Sequence, residues 1–230
     1  PAPPPTSSHE GGTRRATRAR GGDKTPGAAP ERRAGAHEAG EARSAPRPLV
    51  VYEVIRREGE DELRRTWSAL AWSGLAAGLS MGFSLVAMGL LRARLPDTPW
   101  RPVVVNLGYS IGFLIVILGR QQLFTENTLT PILPLLNKPS GETLWRIARL
   151  WIVVLTTNLI GALVFAWVVG HTAVFRPEVR AAFAGIGHDA LDGSFWTVLL
   201  RAIFASWLIA LMVWVLPGAE TSRPMIIIII

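Results

Sequence analysis

Gly119-Arg120-Gln121-Gln122-Leu123-Phe124-Thr125-Glu126-Asn127-Thr128 places polar and charged groups directly behind the apolar run Val103 to Leu118. Such a run enters a bilayer only as a helix, and a helix needs about 20 residues to cross one. If the same span continues to Pro134, its polar stretch lies at membrane depth. Lipid satisfies no hydrogen bonds, so irregular backbone there must be shielded by protein or face a water-filled cavity. The stretch points to a path through a membrane.

Pro131 and Pro134 interrupt the segment again, so a broken helix is expected: one half to about Leu123, an irregular turn, then a second half. Ahead of it, Thr66 to Leu91 reads as the first span. Its Gly74, Gly78 and Gly82 recur every four residues, which puts them on one helix face and lets a neighbouring backbone come close. Arg92 to Arg101 reads as a loop whose Trp100 suits the membrane interface. Trp145 to Gly170 is the third span, Thr172 to Asp192 a polar connection outside the bilayer, and Ser194 to Leu216 the fourth span. Pro224-Met225 opens an isoleucine run that reads as the start of a fifth.

The expected fold class is therefore all-α integral membrane: a transporter-like helical bundle with a broken second helix, about four full spans and the start of a fifth. Residues 1–48 form a Pro- and Gly-rich basic tail without Leu, Ile, Val, Phe or Trp, which cannot bury enough surface to order itself. Residues 49–65 read as an amphipathic helix at the membrane surface, or equally as a solvated linker helix. Residues 66–230 form the transmembrane domain, which would be incomplete at its C-terminal end.

The net charge of +7 would suggest nucleic acid in a soluble chain. Here the excess lies in the tail and beside apolar spans, and no aromatic-basic interleaving or zinc spacing accompanies it, so attraction to anionic lipid is the better reading. With no cysteine there is no disulfide framework, thiol nucleophile or thiolate metal site. Arginines and lysine near span ends favour a cytoplasmic N-terminus.

Several polar residues have two readings. Glu126 would pair with Arg120 or another buried cation and shape the turn or act as a proton-linked gate; the plainer role is a salt bridge or helix-capping carboxylate. Arg201 reads as a snorkelling or paired arginine rather than an anion ligand, and Asn158 as an interhelix hydrogen bond rather than a filter residue. His171 reads as an interface residue. His188, Asp189 and Asp192 have metal-ligand chemistry but match no zinc spacing and sit in a loop. The tryptophans read as belt or packing residues.

Leu123-Phe124-Thr125-x-Asn127 resembles the broken-helix loop of the formate/nitrite transporter family, as do Gly108-Tyr109-Ser110-Ile111-Gly112-Phe113 upstream and the stretch Ser206 to Trp214. The resemblance covers roughly Glu53 to Ile230. It implies a usually pentameric, six-helix channel or transporter for small monovalent anions, with one pore in each protomer. By position it implies Leu123 at the cytoplasmic-side constriction, Thr125 in the loop that meets the anion, Tyr109 at the outer constriction and Phe124 packing the loop. Glu126 stands where the family has a small residue, Arg120 where it has glycine, and Ala190 where it tends to have a lysine. The family's central histidine lies beyond this chain, so neither His171 nor His188 takes its role.

The expectation is a multi-pass inner-membrane channel or transporter for small monovalent anions, not an enzyme. Tyr109, Leu123, Phe124, Thr125, Glu126, Asn127 and Thr128 would form the anion path, with Arg120 as charge partner. Neither a metal nor a cofactor is expected. Expected partners are the anion, membrane lipid and copies of the same chain. The rival is a non-transporting membrane scaffold or assembly protein on the same fold, with its pore closed by Glu126 and Arg120.

Overall fold

Each long helix starts behind a short hydroxyl side chain. Thr66 accepts the Ala69 N–H, Ser140 that of Thr143 and Ser194 that of Thr197, satisfying a donor that every helix start leaves free. The computed structural model describes residues 47–219 and 221–230, so the expected tail lies, but for its last two residues, outside the described residues.

The helices in chain order are α1 (Pro48–Arg64), α2 (Trp67–Arg94), α3 (Arg101–Leu107), α4 (Ser110–Leu118), α5 (Ile132–Asn137), α6 (Gly141–His171), α7 (Pro177–Leu191), α8 (Phe195–Val215) and α9 (Arg223–Ile229). A 3-10 turn, Glu126–Thr128, stands between α4 and α5, and no strand occurs among the described residues. Trp67–Arg94, Arg101–Leu118, Gly141–His171 and Phe195–Gly218 are each long and apolar enough to cross a membrane. The protein is an all-α, multi-pass membrane protein.

The centre is the pair α2 and α6. A Cβ on Gly74 would lie 2.2 Å from the Thr157 hydroxyl, one on Gly78 2.2 Å from the Asn158 carbonyl oxygen, and one on Gly82 2.3 Å from the Phe165 ring. The glycine face is the interhelix contact that its spacing predicts. Its partners advance along α6 as the glycines advance along α2, so the two helices run parallel. Leu70, Ile147, Leu150 and Val154 are buried at one end of the pair. α1 lays Val51 and Ile55 against Leu133 of α5, with Trp214 of α8 beside them.

The second segment breaks twice rather than once. Its unexpected break, between α3 and α4, is made by Ser84 of α2, whose hydroxyl donates to the Tyr109 carbonyl and accepts the Gly112 N–H at 3.0 Å. A side chain inserted into the helix ladder interrupts it. The second break comes at Leu118, five residues before the expected Leu123, because Gly119 and Arg120 close α4. The Gln121 N–H donates to the Val116 carbonyl and the Arg120 N–H to that of Ile117, the paired bonds of a Schellman C-cap. Two further differences are local. His188 and Asp189 lie in helix α7 rather than a loop, where Phe183 packs against Val169 and Val179. The isoleucine run forms α9, which sets Ile227 against Phe113, Val116 and Met212.

Candidate functional site

The turn between α4 and α5 is held at membrane depth. Its Gln122 N–H donates to the Ser73 hydroxyl at 3.1 Å, and its Phe124 N–H to Asn158 Oδ1 at 2.9 Å. Ser73 lies six residues beyond Trp67 in α2, and Asn158 nine beyond Arg149 in α6. At 1.5 Å per residue those offsets set the turn about 9 to 14 Å inside the apolar helices, within a hydrocarbon core of about 30 Å.

At that depth each loop polar group needs a protein partner. Asn158 supplies several: its Nδ2 donates to the Gly74 carbonyl at 2.8 Å and the Gln122 carbonyl at 2.9 Å, while its Oδ1 takes the Phe124 N–H. One side chain thus joins α2, α6 and the turn. Asn127 Nδ2 donates to Gln122 Oε1 at 2.7 Å, Trp151 Nε1 to the Asn127 carbonyl at 2.8 Å, and the Thr128 hydroxyl to the Thr125 carbonyl at 2.8 Å. Phe124 meets the Trp151 ring edge-on, with centroids 6.5 Å apart.

Against this background four loop atoms stand out. Thr125 Oγ1, Glu126 Oε1, Thr130 Oγ1 and Gln121 Oε1 are buried and find no hydrogen-bond partner among the described residues. The Thr125 N–H likewise donates to nothing among the described residues. Among the described residues Arg120 is the non-glycine residue with positive φ, at 48°, in the left-handed region that glycine enters more readily.

Two cavities flank α4. One, of about 290 Å³, brings Glu126, Asn127 and Arg120 together with Glu58 and Glu62 of α1 and Arg223. Burial holds the Glu62 carboxyl above the usual carboxylate range, against the pull of Arg65. Arg120 and Glu126 share this cavity, yet among the described residues no ion pair joins them, and Glu126 Oε1 has no hydrogen-bond partner. The other cavity, of about 520 Å³, is lined by Tyr109, Arg92, Arg101 and Asp189. There Arg92 pairs with Asp189 at 2.7 Å and Arg101 with Asp97 at 3.1 Å, so the charges are matched. Between the cavities Phe113, Val116 and Leu123 form an apolar cluster with Met212. Tyr109 therefore belongs to one end of α4, and Glu126 and Asn127 to the other, with Leu123 buried between.

Sequence reasoning missed Ser73, Trp151 and Gln122 as supports of the turn, and gave Asn158 only an interhelix bond. An asparagine in an apolar span was the available signal; the others resemble ordinary helix residues. Arg201 donates to the Asp192 carbonyl at 2.7 Å, turned toward the helix start as a snorkelling arginine would be. His171 stacks on Trp167 at 5.5 Å. Among the described residues no cluster of three or more His, Asp or Glu is placed to hold a metal.

A family model described as formate/nitrite transporter matches residues 50–230. The chain is 43% identical over 192 residues to the inner membrane protein YfdC of Escherichia coli strain K12, covering 84% of this chain and 62% of that protein. It is 26% identical over 180 residues to the formate channel BtFdhC of Bacillus thuringiensis, covering 76% of this chain and 68% of the relative. It is 24% identical over 155 residues to the formate channel FocA of Haemophilus influenzae, covering 65% and 53%. The chain thus spans about three fifths of the length of YfdC.

Proposed function

The chain belongs to the formate/nitrite transporter family, and we propose that it conducts small monovalent anions through a pore in each protomer of a homopentamer in the cytoplasmic membrane. The N-terminus faces the cytoplasm. The anion enters past Tyr109, crosses the apolar barrier of Phe113, Val116 and Leu123, and meets Thr125 to Thr128; the reverse path is equivalent. No bond is made or broken, so the protein works as a conduit rather than an enzyme.

The observation that carries this reading is Thr125. In a turn where Ser73, Asn158 and Trp151 satisfy neighbouring polar groups, its hydroxyl is buried without a partner and its N–H is unused. Dehydrating an anion at this depth costs several kcal/mol or more, and unclaimed donors on a preorganised turn offset part of that cost. Glu126 works the other way. A carboxylate without a cation in contact repels anions, so passage requires that it be protonated or screened from the path.

Flux in proteoliposomes tests the proposal, comparing this chain with a version extended to the length of its relatives across formate, nitrite, acetate, lactate and hydrosulfide. Flux of at least one anion is expected from the extended protein, with Thr125→Val lowering it about tenfold, the effect of one lost donor to a charged group. A correctly folded, oligomeric protein that passes none of them would instead be the scaffold.

A further inference from the structure

Arg149 is tied into the corner where α1 meets α2. Its Nη2 donates to the Leu63 carbonyl at 2.9 Å and the Arg65 carbonyl at 2.8 Å, and its guanidinium stands 5.8 Å from the centre of the Trp67 ring. Beside it is a cavity of about 350 Å³ lined by Leu63, Arg64, Glu142, Trp145, Arg146 and Arg149. Glu142 pairs with Arg146, and Asp61 reaches Arg64 only at 3.9 Å. Arg149 has no acid partner among the described residues, so the cavity is positive.

A second cavity, of about 440 Å³, begins at Trp67 and follows the groove between α2 and α6, walled by Ala71, Ile152, Val153 and the methyl-bearing Thr156 and Thr157. It is as apolar as the first is charged. Trp67 and Trp145, 55% and 61% exposed, stand where the apolar helices begin, the level at which tryptophan marks a membrane boundary. A basic cavity at that level, joined through the contact of Arg149 with Trp67 to the head of an apolar groove, has the layout of a headgroup above an acyl chain.

We infer that the Arg64, Arg146 and Arg149 cavity, together with the groove from Trp67 to Thr156, binds one anionic phospholipid. The phosphodiester sits among the guanidinium groups, which hydrogen-bond phosphate oxygens in their own plane. The glycerol lies against Trp67 and one acyl chain fills the groove. A zwitterionic lipid would bring its own cation to the arginines, and a free phosphate would leave the groove unfilled. The site is separate from the α4 turn and does not rest on the anion pathway.

The full chain, reconstituted in nanodiscs of equal phosphatidylglycerol and phosphatidylcholine, would be released and weighed by native mass spectrometry. Preferential retention of phosphatidylglycerol is expected. Each arginine near an anionic lipid surface contributes about fivefold, so R64Q combined with R146Q should lower the preference roughly twentyfold. Both side chains are on the outer surface of their helices, and R176Q at the far end of the molecule serves as the matched control. T156F, which fills the groove from its open side, should lower retention of both lipids without changing the preference. Four results would overturn the inference: equal retention of the two lipids, a preference that survives the double substitution, lipid displaced by inorganic phosphate, or T156F without effect.

Discussion

Asn158 shows how much one side chain can decide. Interhelix hydrogen bonds in membranes average about 0.6 kcal/mol, because a broken bond usually finds another partner. The Phe124 N–H and the Gln122 carbonyl have none within reach of their own helix, since both lie in irregular backbone. Asn158→Leu is therefore expected to cost about 2 to 4 kcal/mol, read as a lower thermal unfolding midpoint in detergent, and Asn158→Asp should cost no less, because its carboxylate keeps the acceptor for Phe124 but turns an oxygen in place of a donor toward the Gly74 and Gln122 carbonyls. Arg120 is the opposite case. A left-handed residue other than glycine carries about 1 kcal/mol of strain, so Arg120→Gly should raise stability by up to about that amount in the same measurement. An unchanged or lower midpoint would show that the Arg120 side chain contributes more in its cavity than its backbone conformation costs.

Among elements, the contact between α2 and α6 was legible because its cause is local: glycine every fourth residue needs no knowledge of the partner. The break between α3 and α4 was illegible for the converse reason. Nothing in Asn106 to Ser110 stops a helix by itself, and the interruption comes from Ser84, 25 residues away from Tyr109. The turn was recognisable by its charged residues, while its supports on α2 and α6 were not, since hydrogen-bond partners across elements leave no periodic trace. Gly78→Ala should destabilise by about 1 to 3 kcal/mol, because its Cβ would meet backbone that cannot yield; Gly170→Ala in open space should be neutral or gain up to about 1 kcal/mol. Helix α1 carries a pH dependence. Since burial raises the Glu62 pKa, its contribution to stability is complete below the ordinary carboxylate range and is lost as pH rises through the shifted value. Thermal stability should accordingly fall more in the wild type than in Glu62→Gln as pH rises from about 4, the ordinary glutamate value.

For the whole molecule, parallel α2 and α6 place the starts of both helices at one membrane face, and α3 with α4 must return between them. Because the chain has no cysteine, single substitutions report sidedness directly. With a cytoplasmic N-terminus, Ser140→Cys should react with a membrane-impermeant maleimide in inside-out vesicles and Val174→Cys in right-side-out ones; labelling of both on one face would overturn the crossing pattern. α8 buries Met212 but turns Phe195, Trp196, Phe204 and Trp207 outward. The Asn158 bonds also set a timetable. The ribosome delivers Phe124 34 residues before the amide that receives its N–H, so when the second segment first leaves the insertion machinery, its turn has no partner in lipid. It must wait beside the translocon, or slip back toward water, until α6 arrives; the order of synthesis makes the third span the one that locks the second in place.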